Sequence, residues 1–294
     1  MVTDEVEHDV SVLVKTFERP DALRRLVRSI RRYYPRIPIL VVDDSAAALD
    51  PPPEGVTRYW HEPYRSLGSG PGRNFGLRRV ETQYVLVSDD DMVFGRRTDL
   101  RKMLRTLQTT SFDLVSCRWM DHDPWTSVRL GVNRFEGTID VAGGVLVHRY
   151  GATRGQIDGL PVFDVVHQFF MAGRDRLGEE PWEPTMNVLD HSELFLRLKD
   201  RGLRCTRLPD VVVYHRPELP TGYREVREDT RESMEAWRRV RGFERREFVG
   251  RLYSRRDRAL YGAVGLAQTV ARRAARVGGR LVRERRLRAG EGRA

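Results

Sequence analysis

The 294-residue chain contains no run of 18 or more apolar residues, so no membrane-spanning helix is expected from it. Its first nine residues are acidic and lack an apolar centre; they do not read as a secretory signal and are expected to be disordered. Cysteine is scarce. Cys117 and Cys205 stand far apart, form no metal or redox motif, and read as buried small hydrophobes in a reducing compartment. A phosphate loop of the Gly-x-x-x-x-Gly-Lys type is missing. The segment Gly68-Ser69-Gly70-Pro71-Gly72-Arg73-Asn74 fails as a dinucleotide fingerprint, because Arg73 stands where a glycine is required and the preceding residues make a poor strand. No internal repeat is evident either.

Net charge is missing from most of the chain as well. Residues 223–294 hold 21 Arg and no Lys against 10 Asp or Glu, whereas residues 1–222 hold 31 basic against 32 acidic residues. The formal charge of +10 therefore belongs to the tail. The body loses the compositional footprint of a nucleic-acid binder, and no nucleic-acid partner is expected. Within the tail, Leu260, Val264, Ala267, Val270, Ala271, Ala274 and Val277 follow helical spacing beside Arg272, Arg273, Arg276, Arg280 and Arg283. This is the pattern of a basic amphipathic helix, which suits an anionic membrane surface, a packed helix on the body, or a solvated basic tail.

What is present is an alternation of strands and helices. Val10–Val14 reads as a buried strand, Pro20 and Asp21 open a helix with Leu23, Leu26, Val27 and Ile30 on one face, and Ile37–Val42 reads as a second strand. Val56–Trp60 fits a short strand, and residues 68–80 lead into another helix. A helix near 99–108, a strand near 112–118, an irregular stretch with antiparallel strands over 119–144, a helix over 192–201 and a strand over 211–215 follow. The alternation predicts an α/β fold with a mostly parallel, doubly wound sheet. Ligands of such sheets bind outside the carboxyl ends of the strands, where Thr16, Asp43, Asp44 and the acidic run Asp89-Asp90-Asp91 all fall.

That run closes the apolar strand Tyr84–Val87. Three adjacent carboxylates repel one another and are costly to desolvate at the mouth of a core strand. A divalent cation bridging to a substrate diphosphate relieves the repulsion and binds the substrate together; a solvated acidic turn is the plainer reading.

Several motifs carry a resemblance to a known family. They are Ser11-Val-Leu-Val-Lys15-Thr-Phe-Glu-Arg-Pro20, Val41-Val-Asp-Asp-Ser45, Gly72-Arg-Asn-Phe-Gly-Leu77 and Ser88-Asp-Asp-Asp91, with His191-Ser-Glu-Leu-Phe195 and Asp210-Val-Val-Val-Tyr-His215 further on. In this order the chain resembles GT-A fold glycosyltransferases of the family 2 type, and most closely β-1,4-N-acetylgalactosaminyltransferases of the ganglioside-synthase kind, over roughly residues 10–222. The resemblance implies a GT-A domain over 10–222 with an Arg-rich helical extension over 223–294. It implies metal-dependent, inverting transfer of a sugar from a UDP-sugar to a carbohydrate, lipid-linked or small-molecule acceptor; it suggests N-acetylhexosamine as one donor sugar and leaves the donor open.

On the same basis Thr16, Glu18 and Asp44 would line the uridine pocket, Arg73 would reach the base or diphosphate, and Asp89 would hold the ribose. Asp91 would bind Mn²⁺ or Mg²⁺, with His215 as a second ligand that tilts preference toward Mn²⁺. The catalytic base would be Glu193 or Asp190, with Glu193 favoured and Asp190 doubling as the helix N-cap. His191 would contact acceptor. Trp125 and Trp182 read as sugar-stacking or core residues. Two rival readings stay open: a sugar-nucleotide-forming nucleotidyltransferase, and a non-catalytic sugar-nucleotide-binding protein at a membrane. The expected location is cytoplasmic, peripheral to the inner face of the membrane if the tail docks there.

Overall fold

A computed structural model describes residues 2–63, 68–122, 129–186, 189–217 and 231–253. Met1–Leu252 form one compact unit. The second unit, Tyr253–Ala294, lies outside the described residues except for Tyr253, and the tail helix expected over 260–277 falls there.

Strands β1 (Val10–Thr16) and β2 (Ile39–Asp43) are buried at every position, which explains their near-continuous apolar sequence. Helix α2 (Pro20–Tyr33) connects them, with Pro20 in its first turn where a missing N–H costs nothing. It buries Ala22, Leu23, Leu26, Val27 and Ile30, and each of the larger side chains contributes roughly 1.5–3 kcal/mol. Strand β3 (Arg58–His61), helix α3 (Ser69–Leu77) and strand β4 (Tyr84–Asp89) continue the alternation. A Cβ on Gly76 of α3 would collide with Leu13 Cδ1, so glycine there lets the helix lie close on β1.

The chain then forms β5 (Met92–Val93), α4 (Leu100–Thr109), β6 (Leu114–His122), β7 (Arg129–Asn133), β8 (Gly137–Ala142) and β9 (Val145–Tyr150). The short strands β10 (Gln156–Ile157) and β11 (Leu160–Pro161) precede β12 (Phe170–Gly173) and α5 (Arg174–Leu177). Helix α6 (Asp190–Asp200), β13 (Cys205–His215), α7 (Arg231–Arg241) and β14 (Arg245–Val249) complete the described order. The main sheet runs β3-β2-β1-β4-β12-β6-β13-β5, with β7 on β6. Its first four strands are parallel, as is β6 with β13. Strand β12 enters antiparallel between β4 and β6. The α/β class and the parallel first four strands agree with the expectation of a mostly parallel sheet, although antiparallel β12 and β5 make the sheet mixed. Two apolar clusters fill the core, and both free cysteines are buried in it.

Three boundaries differ from expectation. Residues Val2–Asp9 are helical (α1), with Val6 buried in the core, although their acidic composition predicts disorder. The compact unit does not stop at 222. Helix α7 buries Ala236 and Trp237, and β14 adds a parallel strand to β9 in a second sheet, β14-β9-β8. Helix α6 starts at Asp190, with Leu189 before it in the left-handed region (φ 66), so Asp190 is a first-turn residue and not the N-cap. Trp182 is fully buried and belongs to the core; Trp125 lies outside the described residues.

Candidate active site

The acidic run is divided by the fold. Strand β4 ends at Asp89, Asp90 and Asp91 make the turn, and Met92 resumes as β5 beside β13, paired with His215. Asp91 and His215 thereby meet: Arg216 N–H donates to the Asp91 carbonyl at 2.9 Å, and His215 Nε2 lies 3.4 Å from Asp91 Oδ2. On the next strand, register places Asp121 opposite His215, and His215 Nδ1–H donates to Asp121 Oδ1 at 2.6 Å. Against burial, these two carboxylates push the imidazole up to about 10.

Arg19, immediately before α2, closes the other side. Its guanidinium pairs with Asp90 and with Asp91 Oδ2, the latter at 2.5 Å. Thr16 Oγ1–H donates to Asp90 Oδ2 at 2.6 Å. Burial raises the Asp90 carboxyl, while Arg19 and His215 overcome burial to hold Asp91 below the ordinary range. Asp90 thus anchors Thr16 and Arg19, a use that sequence reading did not find.

Arg73 is buried on α3. It donates to Asp89 Oδ1 at 2.7 Å, to Asp190 Oδ2 at 2.5 Å and to Ser69 Oγ at 2.6 Å. Its guanidinium therefore ties the end of β4 to the start of α6. Asp44 is fully buried and pairs with Lys15 Nζ, with its Oδ2 unpartnered; burial raises its carboxyl and lowers the Lys15 ammonium. Glu18 lies next to it in the left-handed region (φ 53). Its N–H donates to Ser45 Oγ and its Oε1 accepts from Ala46 N–H, each at 2.7 Å. Thr16, Glu18 and Asp44 are thus gathered at the ends of β1 and β2.

A cavity of about 520 Å³ unites Arg19, Asp89, Asp91, Asp190, His191 and His215, with Trp119, Phe135, Arg246 and Phe248 also in its wall. Asp190 is 3% exposed and faces it. His191 Nε2–H donates to the Val166 carbonyl at 2.7 Å, and burial pushes the ring down to about 3, so it stays neutral. Glu193 does not line this cavity. It is 0% exposed, and its carboxylate accepts from Trp237 Nε1–H at 2.7 Å and from Arg241 Nε–H at 3.0 Å. Of the two candidate carboxylates, Glu193 is engaged by α7 and Asp190 is the one that lines the cavity.

The donor set suits a divalent cation. Asp91 Oδ1 is buried without a hydrogen-bond partner, and His215, once a cation displaces its Nε2 proton, would offer an imidazole backed by Asp121, the arrangement that orients metal-ligating histidines. Among the described residues no group of three or more such side chains could hold a metal alone. A cation here would complete its shell with substrate oxygens and water.

Arg19, Asp121 and Arg246 were not found from the sequence. Arg19 carried a weak signal, a basic residue at a strand end just before a helix-opening proline. Asp121 and Arg246 carried none, since only strand pairing brings them to the site.

The model of Glycosyl transferase family 2 matches residues 11–178. Human β-1,4 N-acetylgalactosaminyltransferase 1 is 34% identical over 71% of this chain and 39% of its own length, and the rat protein is 34% identical over 70% and 38%. The mouse β-1,4 N-acetylgalactosaminyltransferase 2 is 31% identical over 72% and 40%. The chain thus spans about two fifths of the length of these curated relatives. Among solved structures, GalNAc-T7 with UDP, GalNAc and Mn²⁺ aligns with a TM-score of 0.57 at 14% identity, covering 76% of this chain and 48% of that one. Residues 1–349 of S. aureus TarS in complex with UDP-GlcNAc align at 0.53 with 15% identity, covering 74% and 64%. These two share the fold.

Proposed function

This chain belongs to Glycosyl transferase family 2, and from that premise we propose that it transfers a sugar, with inversion, from a UDP-sugar to an acceptor hydroxyl with the help of a divalent cation. The observation that carries the reading is the convergence of Asp89, Asp91, Asp190 and His215 on one cavity at the carboxyl ends of the strands. Family membership sets aside the nucleotidyltransferase alternative.

Asp91 and His215 would hold the cation, which when bound supplies positive charge to a diphosphate leaving group. Asp89, held by Arg73 through Oδ1, would take the ribose hydroxyls on its other oxygen. Thr16, Glu18 and Asp44, gathered at the ends of β1 and β2 outside the cavity lining, would hold the nucleoside. Asp190 accepts the proton of the acceptor hydroxyl as its oxygen bonds to the anomeric carbon; the bond from that carbon to the diphosphate oxygen breaks, and its electron pair leaves with UDP. Arg73 holds the Asp190 carboxylate in place, and neutral His191 beside it is suited to accept a hydrogen bond from the acceptor. An N-acetylhexosamine donor is supported by the naming of relatives 34% identical over part of their length. Contact of the Arg-rich tail with an anionic membrane is a proposal resting on its residue spacing alone.

The test is calorimetric binding of a panel of nucleotide sugars with Mn²⁺, Mg²⁺ or EDTA, together with slow donor hydrolysis. A UDP-sugar should bind and hydrolyse with Mn²⁺ and not with EDTA. Absence of metal-dependent binding by every UDP-sugar would overturn the reading.

A further inference from the structure

The C-terminal strand β14 lies outside the span matched by the family model, yet it brings two side chains into the cavity wall. Arg246 and Phe248 are two residues apart on one strand, so they project from the same face, and pairing with Leu146 and His148 of β9 fixes their register. The Arg246 guanidinium lies 5.4 Å from the ring centres of both Trp237 and Phe248. It forms no hydrogen bond or ion pair with any described residue, whereas Arg19 and Arg73 in the same site are each committed to two carboxylates. Burial lowers its pKa, and only Tyr150 acts against that effect. A half-buried guanidinium without an anion is a cost that a bound anion removes.

Phe248 supplies the second part. It is 48% exposed, and its inner face stacks on Tyr150 with ring centres 5.5 Å apart and planes at 11°. A flat aromatic surface that is stacked on a neighbouring ring and still half exposed suits the C–H face of a sugar ring. The guanidinium beside it suits a carboxylate or phosphate, which it can grip through two parallel N–H donors.

We propose that Arg246 and Phe248 form an acceptor subsite that selects an anionic sugar, the ring lying on Phe248 and its carboxylate or phosphate on Arg246. The inference rests on the sugar-transfer reading above. It also assigns a role to the C-terminal segment, whose residues build the acceptor half of the cavity beyond the reach of the family model.

The experiment measures binding of matched probes to the full chain in the presence of UDP and Mn²⁺. The probes are p-nitrophenyl β-glucoside, p-nitrophenyl β-glucuronide and glucose 6-phosphate, and UDP affinity is measured separately. The charged probes should bind more tightly than the glucoside by about tenfold, the scale of one charge-assisted pair. Whether glucuronide or phosphate gains more identifies the anion. R246Q should erase the preference, R246K should keep part of it, and F248A should weaken all three probes alike. Equal binding of charged and neutral probes would overturn the subsite. So would an R246Q variant that binds UDP as weakly as it binds the charged probes, since the guanidinium would then serve the diphosphate. Loss of UDP binding in the unmodified chain would instead count against the donor reading, leaving the probe comparison to decide the subsite. If R246Q fails to fold, R246K against F248A decides between a charge effect and a packing effect.

Discussion

Trp237 Nε1–H donates to Glu193 Oε2 at 2.7 Å, across a sequence separation of 44 residues. The contact joins α7 to α6, the helix whose first residue is Asp190, and Arg241 reinforces it through Glu193 Oε1 and Asp200. Glu193 is therefore a joint between the C-terminal segment and the helix that presents Asp190 to the cavity.

Separate outcomes follow for the two carboxylates. D190N should lower kcat by about 10²–10⁴-fold, the usual worth of a positioned general base. W237A should instead destabilise the fold by about 3–5 kcal/mol, because it empties a fully buried site and leaves Glu193 short of a donor. E193Q should lower stability and, where the protein remains folded, retain transfer. Urea unfolding and steady-state kinetics on the three variants check this; an inactive E193Q of normal stability beside an active D190N would return the base to Glu193.

Asp121 is expected to act on the metal through His215. It accepts from His215 Nδ1 at 2.6 Å and from Trp119 Nε1 at 2.8 Å, which fixes the ring with Nε2 toward Asp91. D121N should weaken Mn²⁺ binding by about 10–100-fold, typical for loss of a partner behind a metal-ligating histidine. D91N should abolish it. Mn²⁺ titration followed by electron paramagnetic resonance reads both, and an unchanged Mn²⁺ affinity in D121N would remove its positioning role.

His148 makes stability depend on pH in the acid range. It is fully buried, and burial lowers its pKa to about 4 from the usual 6.5. Between those values the unfolded chain binds a proton that the folded chain refuses. Its contribution is thus complete above pH 6.5 and lost as pH falls toward 4, with a slope of at most about 1.4 kcal/mol per pH unit. H148F should flatten this part of the profile when urea unfolding is compared at pH 7 and pH 5. Equal slopes for H148F and the unmodified chain would assign the acid sensitivity elsewhere.

Much of this was legible in the sequence because it is local. Pro20 and the apolar spacing of Leu23, Leu26, Val27 and Ile30 fix α2, and the buried run before Asp89 fixes β4, since helix and strand periods are written in adjacent residues. The carboxylates at 44, 89 and 91 could be placed at the ligand-binding edge of the sheet from strand order alone.

What the sequence determined by itself was the family, the order of the early strands and helices, and the edge at which charged side chains collect. Tertiary structure decided their division of labour. Positions 190 and 193 are neighbours on a helix surface, so spacing could not say which faces the cavity; the packing of Trp237 and Arg241 on Glu193 did. That Arg73 joins the end of one strand to the start of a helix was likewise decided by the fold, which brings Asp89 and Asp190 to it. Asp121, Arg19 and Arg246 acquire meaning only through pairings tens to hundreds of residues apart, such as His215 with Asp121. Such partners leave no local period in the chain, because it is the register of the folded sheet that makes them neighbours.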